Sequence, residues 1–387
     1  MHYHDRSQNA HPSRRDFFRN LTRTTLAGVS LLELAYYRAA WARAQALTSN
    51  HQLFDIENVA DGVYCAKARV QAEINCNAAI YVNSAYVLVV DAHSKPSAAA
   101  ALIAQIKREI TAKPVRYVVN THFHWDHIQG DHAYRVAEKK VDFIASKPTQ
   151  QLISDSAEAR LKESLAEVPK QIDTLQARAD KSNSPAEKAY LADQIRQLQA
   201  YQAEMQNYAP ELPTITLEKS YVLKDKAHEL HIEFRGHAHT AGDVVVFCPQ
   251  KRAIATGDMI IGFLPNIGDG YPIAWPRTMD SVAQLDFAWI LPGHGPVQAN
   301  RVPMTSERNY IEELTQEVAD GKKAGKSVAD LQKVITVNSL KSLRSNGYAE
   351  YLAKNQKVSL PEFDSSAQLQ NGLKGNIADV YKNLDKV

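Results

Sequence analysis

Apolar and polar positions come in short bursts over the first third of the chain and then change rhythm. Gly62-Val63-Tyr64-Cys65 and Ala78-Ala79-Ile80-Tyr81-Val82 read as strands, and residues 86–91 form a continuous apolar run ending at Asp91, the pattern of a strand covered on both faces. An alanine-rich stretch follows, with Ser97 placed to cap a helix that runs to Ile110. Residues 115–120 read as a further strand that stops at a cluster of histidines. Strand, helix, strand with polar side chains on the exit loop is an α/β arrangement, in which chemistry collects at strand ends.

Residues 148–212 carry a different period. Leu161, Leu165, Val168, Ile172 and Leu175 recur at spacings of four and three, and Leu191, Ile195, Leu198, Tyr201 and Met205 follow a similar rhythm. Between them Ser184-Pro185-Ala186-Glu187 has the form of a capping box with proline at the first helical position. The segment is expected to be a helical hairpin inserted into the α/β domain, kinked at Pro169, and packed on the core as a satellite in preference to acting as a lid or an oligomer interface. Strand patterns return at residues 214–217, 231–234, 243–248, 252–256 and 288–291, and from Ser306 onward the pattern is helical. The expected division is 1–46, a domain over 47–303 holding the hairpin at 148–212, and a helical extension over 304–387.

Composition narrows the class. With 387 residues and 44% hydrophobic positions the chain buries a substantial core. The formal charge of +2 comes from the N-terminus: residues 1–46 hold seven arginines and three acids, leaving 38 basic against 40 acidic residues beyond. That balance argues against a nucleic-acid partner. Ser13-Arg14-Arg15-Asp16-Phe17-Phe18-Arg19, the weakly apolar stretch after it and the small residues Ala42-Arg43-Ala44 resemble a twin-arginine export signal. Glu33 and Arg38 argue against a membrane span there, and the expected location is periplasmic or otherwise extracytoplasmic. Of three cysteines, Cys65 and Cys76 lie on strand-like runs that allow either a disulfide or two buried thiols.

The candidate chemistry is concentrated in His122-Phe123-His124-Trp125-Asp126-His127. Imidazole and carboxylate suit a borderline divalent metal, and four such donors in six residues are too many for one tetrahedral ion that keeps a catalytic vacancy, so two metals are the economical solution. His239 in Gly236-His237-Ala238-His239-Thr240, Asp258 in Thr256-Gly257-Asp258 and His294 in Pro292-Gly293-His294-Gly295-Pro296 add donors, and no cysteine accompanies them. Three neighbours are less expected as ligands: His237 competes with His239, His132 is expected to fix the loop after the cluster, and His93 is expected to be an exposed loop residue.

In this order the motifs resemble those of the metallo-β-lactamase superfamily over roughly residues 57–300, with Asp91 matching the acid that family members place behind the metal loop. The resemblance implies a four-layer αββα sandwich and two zinc ions per chain. It implies that His122, His124 and His239 hold one metal, that Asp126, His127 and His294 hold the second, and that Asp258 bridges them. The implied activity is hydrolysis of an ester, thioester, lactam or phosphoester of a small-molecule substrate by a zinc-held hydroxide, with Asp126 orienting it and accepting its proton. Thr-Gly-Asp at Asp258 resembles hydroxyacylglutathione hydrolases more than zinc β-lactamases. Two alternatives stay open on the same fold, a β-lactamase proper and a mononuclear iron oxidoreductase resembling persulfide dioxygenases. Phe263, Tyr271 and Trp275, on and beside the loop at 263–271, are expected either to line the substrate pocket or to pack the loop on the core.

Overall fold

The computed structural model describes residues 53–69, 76–138, 140–355 and 365–386. The export-signal segment lies outside them. Two sheets form the centre. The first runs β1 (Phe54–Ala60), β2 (Val63–Ala68), β3 (Ala78–Val82), β4 (Val87–Val90), β5 (Val115–Val119), β6 (Asp142–Ser146) and β7 (Ile215–Leu217) in chain order. Its β1–β4 pairs are antiparallel and its β4–β7 pairs parallel. The second sheet holds β8 (Ser220–Leu223), β9 (Leu230–Phe234), β10 (Val244–Cys248), β11 (Ala253–Gly257) and β12 (Trp289–Pro292), with only the β11–β12 pair parallel.

The layering follows from which side chains meet. Cys65, Tyr81, Leu88, Val90, Val119 and Ile144 of the first sheet pack against Ile232, Val244, Val246, Ala255 and Leu291 of the second, so the sheets stack face to face. On the outer face of the first sheet, Ile80, Val89 and Val118 meet Ala99, Leu102, Ile103 and Ile106 of α1 (Pro96–Glu109). Each such aliphatic side chain contributes roughly 1.5–3 kcal/mol when fully buried. On the outer face of the second sheet, Val245, Phe247 and Ile290 share a core with α7 (Trp275–Val282), α8 (Val302–Lys323), α9 (Val328–Val334), α10 (Lys341–Arg344), α11 (Tyr348–Asn355) and α12 (Ser365–Asn383). This is the expected four-layer αββα sandwich. The C-terminal helices are not an appendage: Tyr310, Ile311, Leu314, Leu369, Leu373 and Ile377 belong to the fourth layer itself.

Two short helices, α2 (Trp125–Ile128) and α3 (Asp131–Ala137), follow β5, and α4 (Lys147–Leu152) leads through a π-helical turn into the hairpin arms α5 (Glu158–Lys181) and α6 (Pro185–Met205). The Ser184 hydroxyl accepts the Glu187 amide as the capping box requires, but Glu187 reaches Ser182 and Arg178 instead of completing it. Helix α5 is one element with Pro169 in its interior. One local expectation is corrected. Helix α1 begins at Pro96, inside its first turn, with Ser97, whose amide and hydroxyl both bind the Glu204 carboxylate at 2.6 Å. A cap supplied from α6, more than a hundred residues away, replaces the local one and ties the second arm of the hairpin to the sandwich.

Candidate metal centre

Every motif with candidate donors sits where a strand of the sandwich has just ended or is about to begin. Asp91 follows β4, residues 120–127 follow β5, Asp258 follows β11, His294 follows β12, and His239 lies on the loop from β9 to β10. The helical turn α2 presents Asp126 and His127 in succession, and His124 occupies its N-cap position.

Three imidazole nitrogens converge first. His124 Nδ1 lies 3.1 Å from His122 Nε2 and 2.9 Å from His239 Nε2. The edge of a tetrahedron around zinc with Zn–N bonds of 2.0–2.1 Å is about 3.3 Å, so the spacing is that of three ligands on one ion. Each ring is oriented through its other nitrogen. His122 Nδ1 lies 3.0 Å from Thr121 Oγ1, His239 Nδ1 donates to the Asn266 carbonyl at 3.0 Å, and His124 Nε2 donates to Asp269 at 2.9 Å. These partners leave His122 Nε2, His239 Nε2 and His124 Nδ1 facing one point.

The second set mixes charge. Asp126 Oδ2 lies 3.1 Å from His294 Nε2 and 3.5 Å from His127 Nε2. Asp258 stands between the sets: Oδ1 is 3.4 Å from His127 Nε2, while Oδ2 is 3.5 Å from His294 Nε2 and 3.8 Å from His239 Nε2. His127 Nδ1 donates to Asp91 Oδ2 at 2.9 Å, and Asp91 also accepts the Thr121 amide at 2.8 Å. One buried carboxylate therefore aims His127 directly and supports His122 through Thr121. Gly257 and Gly293 make room. A Cβ at Gly257, whose φ is +52°, would lie 2.2 Å from Thr121 Oγ1, and one at Gly293 would lie 2.2 Å from Asp258 Oδ1.

Electrostatics fit a cation. Burial, reinforced by the neighbouring imidazoles, pushes His122 well below the ordinary histidine value, and burial with His124 beside it lowers His239 to about 4. Both therefore present neutral nitrogens. Burial would raise Asp126 and Asp258, but the His127 and His294 imidazoles hold both carboxyls well below the usual range. His127 Nε2 and Asp258 Oδ1 are buried and have no hydrogen-bond partner. Against the effect of burial, the same carboxylates, Asp126 and Asp258, raise His127 and His294 in return, so that half of the cluster holds protons that a divalent metal would displace, while His122 and His239 already offer neutral nitrogens. The seven expected donors are thus brought together, in overlapping groups that could each hold an ion.

The less expected residues divide. His237 stays outside the donor sets, its ring stacked on Tyr271 at 4.5 Å. His132 pairs with Glu211 at 2.8 Å, beside Arg135, and so anchors the loop after the cluster. His93 corrects its expectation: it is fully buried at φ +72°, donates from Nδ1 to the Cys76 carbonyl at 2.9 Å, and is pushed down to about 3 by burial. Cys65 and Cys76 are separate buried thiols, not a disulfide. Cys76 stands in a further cluster with Asp91 and His127, where burial pushes its thiol up to about 12 and keeps it protonated. Trp275 is fully buried and bonds the Met259 carbonyl, so that ring packs the loop on the core. The chain from Asp91 through Thr121 and the partnership of Asp269 with His124 had no visible sign in the spacing of residues.

With this geometry in place, the likenesses of the chain are as follows. A family model described as the metallo-beta-lactamase superfamily matches residues 72–294. A solved metallo-beta-lactamase from Pontibacter korlensis is similar at 16% identity, over 66% of this chain and 97% of that chain, with a TM-score of 0.47. No curated protein matches the chain.

Proposed function

The chain belongs to the metallo-β-lactamase superfamily, whose members are mostly hydrolases, and from that premise we propose that it is a dizinc hydrolase of small molecules. The observation that carries the proposal is Asp258, which lies 3.8 Å from His239 of the first donor set and 3.4 Å and 3.5 Å from His127 and His294 of the second. A carboxylate so placed joins a site made by His122, His124 and His239 to one made by Asp126, His127 and His294. Each site has three protein donors besides the shared carboxylate, four in all, so water would occupy a fifth position, an expansion that catalytic zinc tolerates. When bound, a zinc pair supplies acidification of water toward a pKa of about 7 and withdrawal of charge from the bond under attack.

The protein's own part is placement. Asp126, partly exposed beside His294, is positioned to orient the attacking water and to accept its proton. Asp91 and Thr121 keep His127 and His122 in the ligating tautomer, and the buried surroundings of His122, His127 and His239 exclude bulk water from three of the ligands. The side chains of His294, Asp126 and His124 retain 23%, 17% and 16% exposure, so the cluster opens to substrate on their side. Ester, thioester, lactam and phosphoester bonds are the substrate class, with Thr256-Gly257-Asp258 shifting weight away from a dedicated lactamase toward the other three. No described helix is long and apolar enough to cross a membrane. The twin-arginine pattern at Ser13–Arg19 is what supports an exported, periplasmic enzyme.

The test is a hydrolysis panel of nitrocefin, lactones, thioesters and bis-aryl phosphates with zinc supplied, on wild type and on Asp126→Ala and His239→Ala. Turnover that disappears in both variants and on zinc chelation is expected. Undiminished turnover with the metal chelated, or one iron per chain with oxygen uptake, overturns the proposal.

A further inference from the structure

Asp269 is the meeting point of three parts of the chain that share no element. Its carboxylate accepts His124 Nε2–H at 2.9 Å, and both of its oxygens are gripped by the Arg160 guanidinium, Oδ2 at 2.8 Å and Oδ1 at 2.9 Å. Its backbone carbonyl accepts Lys386 Nζ at 3.2 Å. Arg160 belongs to α5 in the hairpin, Asp269 to the loop before α7, and Lys386 to the chain beyond α12. Arg160 also lies over the Phe123 ring, 4.8 Å from its centre, so its position is set by packing as well as by charge. A bidentate guanidinium fixes the plane of a carboxylate as a single ammonium does not.

The consequence falls on His124. Its Nδ1 is the atom 2.9 Å and 3.1 Å from the other two imidazoles, so Nε2 must carry the proton and be held outward. Asp269 is the group that holds it. The arrangement rests on the metal reading given above, and we infer that Asp269 is a positioning residue for His124, held in place by Arg160, so that the hairpin insertion is a working part of the metal centre. The insertion is then more than a satellite pair of helices. It supplies the far side of a clamp whose near side is a ligand, while Tyr201 of α6 bonds Gln129 at 2.9 Å and sets its edge against Trp125 between two ligands.

The experiment measures metal affinity by competition with a chromophoric chelator, using zinc, and the visible spectrum of the cobalt(II)-substituted protein. It is run on full-length wild type, Asp269→Ala, Arg160→Ala, the double variant, and Lys162→Ala as a control for lost charge on the same helix. Asp269→Ala should weaken binding roughly 10–100-fold at the tighter affected site and shift the cobalt spectrum. Arg160→Ala should do the same to a smaller extent, and the double variant should be no worse than Asp269→Ala, because Arg160 acts through Asp269. Lys162→Ala and the thermal midpoints of the metal-free proteins should stay at wild-type values. Wild-type affinity and spectrum in both single variants overturn this inference alone. A wild type that takes up no metal overturns the functional reading and this inference with it. Additive losses in the double variant show two separate effects and overturn the coupling to the hairpin.

Discussion

Two carboxylates orient two candidate ligand histidines and are held in opposite ways. Asp91, 2% exposed at the end of β4, binds His127 and both the amide and hydroxyl of Thr121. Asp269, with its side chain 30% exposed on a loop, binds His124 and is held from outside by an arginine of the insertion. The first is wired into the sheet and admits no rearrangement, since both oxygens are committed within the core. The second is assembled from pieces that could be lost, replaced or loosened without disturbing the sandwich. One half of the candidate metal centre is therefore a property of the fold, and the other depends on what has been added to it.

Asn substitution separates the two most sharply. Asp91→Asn places an amide N–H against His127 Nδ1–H and cannot flip without facing the Thr121 amide instead. The expected outcome is a loss of about 1–3 kcal/mol in stability, from a buried donor left unpaired, and metal uptake reduced below two per chain as His127 is driven to the wrong tautomer. Denaturant midpoints and metal analysis check this; an Asp91→Asn protein that keeps both ions breaks the contrast. Asp269→Asn, by comparison, can turn its amide in solvent and should keep both ions with only weakened affinity.

Salt offers a gentler probe. The Arg160–Asp269 pair is partly exposed, so raising ionic strength from about 0.05 to about 0.5 M, which shortens the screening length severalfold, should weaken it. Affinity of the His124 site should fall a few-fold in wild type and not in Asp269→Ala, by the same chelator competition. The smallest effect belongs to Lys386→Ala. It removes a partly buried contact to a backbone carbonyl and the contact of the ammonium with the Tyr271 ring, and affinity should change by no more than roughly twofold. A larger drop would make the C-terminal end an equal partner of the hairpin.

Much of this was legible in the chain. The continuous apolar run at 86–91, the periodic stripes of the hairpin and the four donors at 122–127 could be read from spacing, because period and ligand chemistry are local properties, whereas His239, Asp258 and His294 were picked out by the resemblance of their motifs to a family. Strands β1, β6 and β8 were not anticipated: Asp142-Phe143-Ile144-Ala145-Ser146 is too short and mixed to stand out, and it is a strand because β5 and β7 pair with it on both sides. His93 reads as a loop residue by its neighbours, yet its buried position beside Phe54 is created by a strand that starts some forty residues earlier.

What the amino-acid order determined by itself is the inventory: which segments bury a face and which loops carry imidazole and carboxylate. Only the folded chain decided how that inventory is used. Stacking the sheets turned five separate strand ends toward one point, so Asp258 came to lie between two donor sets, and Glu204 and Arg160 could tie an insertion to a helix cap and a ligand far away in sequence. Such pairings cost loop entropy that only a whole packed core offsets, and nothing in the local pattern records them.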